Sequence, residues 1–446
     1  MTKLLPKFEN KKILILGLGL LGRGLKDAIF FAEKKADVIV TDLKNFTELK
    51  TSLEQLKKYP NIKYTLGEHK EEDILNADLI IRNAGIPRNS QYLKLAFANK
   101  IKVDMDESLF AEYCPCPIIG ITGTRGKSTT TTLIGQMLQK IWASEKRKVY
   151  ISGNLQGEAT LPLLDKVTKN DLVILELSSW QLQGFGWKKI SPQISVFTNI
   201  YPDHLNSYKN MRDYINDKKL IFQNQKKSDY CIINGENNYT KKIKDEIKSN
   251  TVLFYKKDVP KTWQLKVKGD HNLENISATL AVGKILGFKN TQMQKSIEEF
   301  TGIEHRLEYV DTINEIAFIN DTTSTTPIAG NMAINSIDSP IILLAGGASK
   351  NLNLTSFAKN IAKKVKAVVL LEGSATDELE KKIIKYGGEK NLTGRFNDFK
   401  QAIDHAYGLA LPGDTILLSP GCASFGMFIN EFDRGEQFKK IVKQFN

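Results

Sequence analysis

The stretch GITGTRGKSTTTT, residues 120–132, combines residue types that can hold a nucleotide phosphate. It links a strand-like apolar run to a helical pattern, and backbone N–H groups of such glycine-rich loops bind phosphates. Lys127 can neutralise phosphate charge, and the hydroxyl of Ser128 or Thr129 can bind Mg²⁺. The spacing departs from G-x-x-x-x-G-K-[ST], because Ile121 stands at the first glycine position. We interpret the loop as a nucleoside triphosphate site, since Lys-Ser after glycine in this context makes an ordinary turn a poor explanation.

A second glycine-rich motif, GLGLLG, has G-x-G-x-x-G spacing between a strand-like run and a helical run. Such glycines let a diphosphate approach a helix N-terminus, and an acid at the end of the next strand can reach a ribose or base. The alternative is a tight turn that serves only helix–strand packing. The motif predicts a diphosphate site without deciding between a dinucleotide and a sugar nucleotide. The residues of this predicted site are Gly17, Leu18, Gly19, Gly22, Asp42 and Leu43.

Polar residues also follow two strand-like runs in the region of the phosphate loop. Glu176 ends the run LVILE, and Asp203 and His204 follow the run ISVFTNI. Because ligands collect at the carboxyl ends of parallel strands, these groups can converge on the phosphates. A carboxylate and an imidazole there suit Mg²⁺ coordination better than core packing. Each of them alone is more often a surface or capping residue, so the prediction depends on their occurring together.

Strand-like runs alternate with helical patterns along the chain, which predicts an α/β fold of parallel sheets with crossover helices. We predict three domains: a Rossmann-like N-terminal domain at 1–112, a central P-loop ATPase-like domain with a mainly parallel sheet at 113–301, and a Rossmann-like C-terminal domain at 302–446. The strand-like runs are 11–19, 36–42, 77–83, 117–123, 148–154, 172–179, 194–200, 230–235, 315–321, 340–347, 367–373 and 415–421.

The composition, with 41% hydrophobic and 25% charged residues, is that of a soluble globular protein. The net charge of +13 fits nucleic acid, an anionic membrane or anionic small substrates. The lysines are scattered rather than clustered, which favours solvated lysine faces. The sequence has no apolar run long enough for a membrane span and no signal-peptide pattern. The four cysteines fit neither a disulfide framework nor a zinc pattern, so we expect a cytoplasmic protein.

Stretches along nearly the whole chain resemble the Mur ligases of peptidoglycan synthesis, and the shifted phosphate loop is the form that this family uses. Two of them, ELSSWQL and LSPGCASFGMF, point within the family to the glutamate-adding branch, the MurD type. The stretches are GITGTRGKSTTTTLIGQML, SGNLQG, ELSSWQLQ, TNIYPDHLNSY, KGDHNLENISATLA, EHRLEYV and LLSPGCASFGMFINEFDRGEQF.

The resemblance implies that the first domain binds the UDP of UDP-N-acetylmuramoyl-L-alanine, the central domain binds ATP, and the C-terminal domain binds glutamate. The substrate carboxylate would become an acyl phosphate, and the glutamate amine would then displace phosphate to form an amide. The resemblance also implies two Mg²⁺ ions and a monomer. From the sequence itself we expect neither a nucleic-acid partner nor a membrane span. Closure of the C-terminal domain over the nucleotide would keep water away from the acyl phosphate.

The resemblance also assigns roles to individual residues. Catalytic roles fall on Lys127, Glu176, His204 and Lys218, and metal binding on Ser128, Glu176, His204 and carbamylated Lys218. The remaining ATP contacts are Gly123, Thr124, Gly126, Thr129, Asn275, Arg306 and Asp321. The muramoyl-alanine substrate would contact Asn154, Ser178 and Gln181, and the glutamate Thr325, Lys350, Ser424 and Phe425.

The lysine assignment depends on the alignment of the stretch YINDKKLIF, where this family carries a carbamylated lysine. Counting from Tyr214 gives Lys218, and Lys219 is the alternative one position later. Without the family resemblance, two solvated helix lysines are the simpler interpretation.

The sequence departs from the family pattern where the incoming amino acid would be recognised. Thr323 stands in place of a lysine, and Glu431 occupies the usual phenylalanine position, with Phe432 one residue later. In the first domain, RNAGIP replaces a turn of the SPGIP type. D-glutamate is the first choice of substrate because it is the commoner one, and an L-glutamate-adding variant stays open.

Three other activities are weighed against this one. A nicotinamide-dependent dehydrogenase would explain GLGLLG but would leave the second phosphate loop and the acids without a role. A basic, ATP-dependent nucleic-acid-binding protein would explain the charge, but the sequence shows no aromatic-and-basic motif of the usual nucleic-acid modules. A folate–glutamate ligase shares the central loop, but LSPGCASF and the first-domain glycines argue against it.

Overall fold

The computed structural model describes residues 7–19, 22–154, 159–203, 208–267, 269–350 and 352–445. The chain divides into two compact units, Met1–Phe300 and Thr301–Asn446. In the described residues, strands form two sheets in the first unit and one in the second, with helices between most successive strands. The predicted α/β class is therefore confirmed.

The first sheet has the strand order β3-β2-β1-β4-β5, and its strands all run parallel. Its central strands are apolar on both faces because helices cover both sides. The strands are β1 Lys12–Leu16, β2 Asp37–Asp42, β3 Ile62–Leu66, β4 Leu79–Arg82 and β5 Lys102–Asp104. The helices are α1 Arg23–Glu33, α2 Lys50–Leu56, α3 Glu71–Leu75, α4 Gln91–Ala98 and α5 Asp106–Tyr113.

The second sheet is also parallel, in the order β11-β10-β9-β6-β8-β7. Strand β6, which precedes the phosphate loop, lies between β9 and β8. The direction of the strand connections reverses at β6, and ligands of parallel sheets bind at such a point. The strands are β6 Ile118–Thr122, β7 Val149–Gly153, β8 Leu172–Glu176, β9 Ile194–Phe197, β10 Tyr230–Asn234 and β11 Asn250–Phe254. The helices are α6 Lys127–Ile141, α7 Ser179–Lys188, α8 Met211–Gln223, α9 Asn238–Ile243, α10 Asp270–Ile285 and α11 Asn290–Glu298.

The third sheet has the order β12-β13-β17-β14-β15-β16 and is mixed, because β12 pairs antiparallel with β13. A tight turn at Asn314 and Glu315 joins these two strands, and both turn residues have positive φ. The strands are β12 Glu308–Ile313, β13 Ile316–Asn320, β14 Ile341–Gly346, β15 Ala367–Leu371, β16 Leu392–Phe396 and β17 Thr415–Leu418. The helices are α12 Pro327–Asn335, α13 Thr355–Lys364, α14 Thr376–Lys385, α15 Phe399–Leu409 and α16 Glu431–Val442. Short 3-10 helices lie at Leu161–Asp165, Lys244–Glu246, Lys256–Asp258, Glu389–Asn391 and Lys443–Phe445.

Apolar packing joins the first two sheets. One continuous cluster of buried side chains includes Phe31 of α1, Phe110 of α5, Leu161, and Leu182 and Phe185 of α7. The helices of the first unit therefore share a core across the two sheets, which fixes the cleft between their carboxyl ends. In the part of the chain that the structure describes, no helix combines the length and the apolar character that crossing a bilayer requires.

Each of the twelve strand-like runs contains a strand. The described strands that the pattern missed are β3, β5, β11, β12 and β16, and each of them is a sheet edge. Their burial explains the omission: β3 and β12 have one buried residue each, whereas β8 and β14 are buried throughout. An edge strand exposes more of its side chains, so its sequence is less apolar and gives a weaker pattern.

Candidate functional site

The predicted phosphate loop lies between β6 and α6, at the carboxyl edge of the second sheet. Gly126 is the N-cap of α6 with φ of 78°, a conformation that favours glycine. A Cβ atom at Gly126 would lie 2.2 Å from Asn275 Oδ1, and one at Gly123 would lie 1.9 Å from Thr198 Oγ1. Both glycines also have positive φ, 78° and 151°, so a side chain at either position would strain the backbone and displace the contacting atom. Ser128 and Thr129 follow Lys127 in the first turn of α6, partly exposed.

The segment after β9 holds this loop in place. Thr124 N donates to Asn199 O (2.9 Å), and Arg125 N donates to Asn199 Oδ1 (2.8 Å). The Arg125 guanidinium pairs with Asp203 at 2.8 Å, so Asp203 binds the loop's own cation in this structure. His204 lies outside the described residues, and its predicted role stays a prediction. On the other side, Asn275 Oδ1 accepts from Thr130 Oγ1 (3.2 Å), which brings this predicted adenine contact against the loop.

Glu176 is the last residue of β8 and is 2% exposed. Its Oε1 accepts from Asn154 Nδ2 (3.0 Å), and its backbone carbonyl accepts from Asn154 N (2.7 Å). Oε2 is buried without a hydrogen-bond partner among the described residues. A buried carboxylate oxygen without a partner is costly, so this atom calls for a ligand that the described residues do not supply. A carboxylate oxygen beside the hydroxyls of a phosphate loop is a suitable ligand for Mg²⁺, which prefers oxygen ligands.

Two lysines converge on one backbone carbonyl of the loop. Lys127 Nζ donates to Gly123 O (3.1 Å) and Thr124 O (3.2 Å), and Lys218 Nζ donates to Gly123 O (2.8 Å). Lys218 is fully buried, and burial together with Lys127 holds its pKa well below the ordinary value. Lys219, the alternative one position later, pairs instead with Glu246 at 2.6 Å. The structure thus brings Lys218, and not Lys219, to the phosphate loop.

The first-domain glycine loop follows β1 and is tied to the end of β2. Asp42 Oδ2 accepts from Gly19 N (2.8 Å), and Asp42 Oδ1 accepts from Lys44 N (2.9 Å). Oδ2 therefore holds the glycine loop, and Oδ1 holds the backbone directly after β2. Leu18 is buried, whereas Leu43 is 62% exposed at the same strand edge. Gly22 is the N-cap of α1, so the motif does place a helix N-terminus beside the loop.

A cavity of about 1570 Å³ lies between the carboxyl ends of the first two sheets. Asn154 and Ser178, two of the predicted substrate contacts, line it. Gln181 does not: it is fully buried, and its Oε1 accepts from Ser178 N (2.8 Å) while its Nε2 donates to Glu107. Gln181 therefore acts here as the capping partner of α7.

Sequence reasoning missed several residues that line this cavity. They include Arg88, on the turn after β4, and Asp217 of α8, which form an ion pair at 3.0 Å. Burial raises the pKa of the Asp217 carboxyl, and the nearby guanidinium group opposes that change. The unusual RNAGIP stretch marked this turn in the sequence, but a partner 129 residues away leaves no local signal.

In the second unit, the residues predicted to bind glutamate lie in the segments after β13, β14 and β17. Lys350 Nζ donates to Thr325 Oγ1 (2.7 Å), and burial lowers the Lys350 pKa, with Glu431 acting in the opposite direction. Ser424 Oγ is buried without a hydrogen-bond partner among the described residues, and Phe425 is 60% exposed. A cation, two hydroxyls and an exposed aromatic side chain can together receive a small carboxylate.

Thr323, which stands at the lysine position of the family pattern, donates from Oγ1 to His305 O (2.8 Å). Its hydroxyl thus stabilises the backbone at the start of the unit.

Asp321 follows β13 and accepts from Leu307 N (3.1 Å), Ser419 Oγ (2.8 Å) and Ser324 Oγ. Burial raises the pKa of Asp321 to about 6. Arg306 is exposed nearby, and the ATP contact predicted for it and Asp321 stays a prediction.

Comparison with protein families gives three successive matches. They are the MurD-like N-terminal domain of Mur ligases at residues 11–104, the Mur ligase middle domain at 121–264, and the glutamate ligase domain of Mur ligases at 305–422. These matches agree with three α/β domains in the predicted order. They give no support to the dehydrogenase, nucleic-acid-binding or folate-ligase alternatives.

Individual relatives match over nearly the full length. A UDP-N-acetylmuramoylalanine--D-glutamate ligase of Roseiflexus sp. (strain RS-1) is 38% identical, covering 98% of this chain and 100% of the relative. One of the same name from Borreliella burgdorferi (strain ZS7) is 37% identical, covering 98% and 99%. Among solved structures, UDP-N-acetylmuramate-alanine ligase MurC from Thermotoga maritima has a TM-score of 0.55 at 17% identity, covering 98% of this chain and 100% of that one. MurF from Acinetobacter baumannii has a TM-score of 0.56 at 14% identity, covering 98% and 91%.

Proposed function

Since this chain belongs to the Mur ligase family, we propose that it joins D-glutamate to UDP-N-acetylmuramoyl-L-alanine with conversion of ATP to ADP and phosphate. The observation that carries this proposal is the full-length match to relatives named as D-glutamate ligases. The phosphate loop with Lys127 and the unpartnered Glu176 oxygen supports the ATP-dependent step. We propose that the enzyme works in the cytoplasm and as a monomer. The monomer rests on the family resemblance and is tested by light scattering.

In this proposal the loop amides and Lys127 bind the phosphates of ATP. The alanyl carboxylate attacks the γ-phosphorus, the bond to ADP breaks, and an acyl phosphate forms. The glutamate amine then attacks the acyl carbon, phosphate leaves with its bonding electron pair, and the amine loses a proton as the amide forms. Lys127 acts on the charge that develops on the transferring group, a contribution that positioned cations typically make to phosphoryl transfer.

Glu176 and the loop hydroxyls of Ser128 and Thr129 would hold Mg²⁺ beside the phosphates. The observation that favours this assignment is the buried Glu176 Oε2, which has no hydrogen-bond partner among the described residues. Bound Mg²⁺ would neutralise negative charge on the phosphate groups of ATP. Asn154, which donates to the other oxygen of Glu176 (3.0 Å), orients the carboxylate for that purpose.

We also propose that Lys218 is carbamylated. Its amine lies 2.8 Å from Gly123 O, next to the ammonium group of Lys127, in a buried position that favours the neutral form. A neutral amine can attack CO₂, form a carbamate and release a proton. The negative carbamate relieves the repulsion with Lys127 and adds oxygen ligands for a second metal ion.

Carbamylation is tested with ¹³C-labelled bicarbonate and carbon NMR of the full-length protein. We expect a carbamate signal in the wild type and in Lys219→Met, and its loss in Lys218→Met. A signal that persists in Lys218→Met, or one that is lost in Lys219→Met, contradicts the assignment.

The central activity is tested by phosphate release from ATP with UDP-N-acetylmuramoyl-L-alanine and either D- or L-glutamate. We expect release with D-glutamate and little with L-glutamate, and none when either substrate is omitted. Turnover with L- but not D-glutamate would contradict the stereochemistry, and Thr323 and Glu431 would then be the first residues to examine. Absence of release with both would contradict the proposed reaction.

A further inference from the structure

Arg82 ends β4, and Arg88 lies on the turn that follows it. Both are linked by hydrogen bonds to one carboxylate, Asp217 of α8. Arg82 Nη1 donates to Gln183 Oε1 (2.5 Å), and Gln183 Nε2 donates to Asp217 Oδ2 (2.6 Å). Asp217 also accepts from Tyr208 Oη (3.0 Å) and, through Oδ1, from Arg88 Nη1 (3.0 Å). These contacts tie the turn after β4 to α7 and α8 across the large cavity.

The two ends of this network differ in exposure. Arg82 is 1% exposed, and its Nε and Nη2 donate to Ile86 O (2.9 and 2.5 Å), which shapes the turn itself. The Asp217 side chain is 4% exposed, whereas the Arg88 side chain is 65% exposed and lines the cavity. The buried members hold Asp217 in place, and Asp217 in turn holds the guanidinium group of Arg88 at the cavity wall.

The turn that carries Arg88 borders the glycine loop of the first domain, and its partner Asp217 adjoins a residue that reaches the phosphate loop. Asn83, on the same turn, lies 3.4 Å from the position of a Cβ atom at Gly19 in the glycine loop. Asp217 immediately precedes Lys218, which reaches the phosphate loop. A substrate that places its diphosphate at the glycine loop and its carboxylate at the phosphate loop would lie along the cavity wall that Arg88 lines.

We propose that Arg88 binds an anionic oxygen group of the UDP-linked substrate, either its diphosphate or its alanyl carboxylate, with Asp217 fixing the guanidinium orientation. This inference rests on the proposed function. A guanidinium group offers five N–H donors in a planar fork that suits phosphate and carboxylate oxygens, and the Asp217 contact uses one of them. With two arginines and one aspartate, the network carries one excess positive charge, which favours an anion at this wall.

The test is Arg88→Met in the full-length enzyme, with phosphate release as the assay. We expect the KM for UDP-N-acetylmuramoyl-L-alanine to rise about 10- to 100-fold, the range for losing a hydrogen bond to a charged group. The KM for ATP and the melting temperature should stay at their wild-type values, and Arg88→Lys should recover part of the loss. Arg212→Met is the matched control, because Arg212 is exposed on α8 and is not among the described residues that line the cavity.

The two sources of the anion are separated by calorimetric titration with UDP alone. Weaker UDP binding by Arg88→Met identifies the diphosphate, whereas unchanged UDP binding with a raised KM for the full substrate identifies the carboxylate. A KM for the full substrate within twofold of the wild type overturns the inference, and so does an equal rise in both KM values, which indicates a structural role. A wild-type enzyme that releases no phosphate refutes the proposed function itself, which is a different result from a silent variant of an active enzyme.

Discussion

Replacing Asp321 with asparagine should stabilise the second unit, and the gain should grow as the pH rises. Burial raises the pKa of Asp321 from 3.8 to about 6, so the folded state holds its proton more tightly than the unfolded state. The stabilising contribution of the carboxyl group is fully present below pH 3.8 and is lost as the pH rises through 6. At pH 8 the folded state therefore carries a buried charge that the variant would lack.

The expected gain in the free energy of unfolding follows from the difference between the folded and unfolded pKa values of Asp321, and it is about 3 kcal/mol at pH 8. At pH 5 the unfolded state is already largely ionised, and the same calculation gives about 1.6 kcal/mol. The gain of the variant should therefore increase by about 1.4 kcal/mol between pH 5 and pH 8. The amide can keep the bond from Leu307 N through Oδ1, and the hydroxyls of Ser324 and Ser419 can rotate to accept from its Nδ2.

The assay must report on residues 301–446. The four tryptophans, at positions 142, 180, 187 and 263, all precede that unit. Amide hydrogen exchange in urea, read on peptides from β14 and β17, measures its opening in the full-length protein. Asp338→Asn is the matched control, because it makes the same charge change at an exposed position of the same unit. A gain that is equal at pH 5 and pH 8, or a loss that grows with pH, would refute the reasoning.

Three further substitutions test the site and the core. Gly126→Ala forces a non-glycine residue to φ of 78° with its Cβ 2.2 Å from Asn275 Oδ1, and we expect the KM for ATP to rise about tenfold or more. Glu176→Gln removes the charge of the carboxylate assigned to Mg²⁺, so kcat in the phosphate-release assay should fall about 100-fold or more. Phe185→Ala empties a fully buried position and should lower the free energy of unfolding by about 3–5 kcal/mol in urea titrations followed by tryptophan fluorescence.

Each of these has a control of the same chemical kind. Gly67→Ala also changes a glycine at positive φ, but nothing lies within 4 Å of its Cβ position, so the KM for ATP should stay unchanged. Glu145→Gln alters an exposed carboxylate, and Phe46→Ala removes a ring that is 54% exposed. An unchanged ATP affinity in Gly126→Ala, an active Glu176→Gln enzyme, or a Phe185→Ala protein as stable as Phe46→Ala would each contradict its prediction.

The sequence pattern predicted the interior of each sheet and failed at most edges. Runs such as 172–179 and 340–347 are apolar throughout because both faces of β8 and β14 are covered. The strand β12, at an exposed edge, alternates irregularly, and its antiparallel pairing with β13 made the third sheet mixed. The residues Glu308–Ile313 do not by themselves indicate that pairing, because an edge strand forms through hydrogen bonds to its neighbour and buries few of its own side chains.

Some features of the candidate site could be predicted from the sequence, and others could not. The phosphate loop, the strand-end position of Glu176 and the glycine loop of the first domain were readable from local order, since each depends on residues next to one another in the chain. The family membership followed from these stretches and is confirmed by the comparisons. Local sequence did not show which groups the side chains of Gln181, Lys218 and Arg88 contact in the folded chain.

The sequence by itself predicted the candidate phosphate site, because a glycine loop between a strand and a helix offers its own backbone amides to an anion. Only the tertiary structure decided which side chains reach that loop and the cavity beside it. Successive helix residues point about 100° apart, so the docking of α8 alone sends Lys218 to the loop and Lys219 to Glu246. Arg88 and Asp217, 129 residues apart, become partners only when the first two sheets pack together.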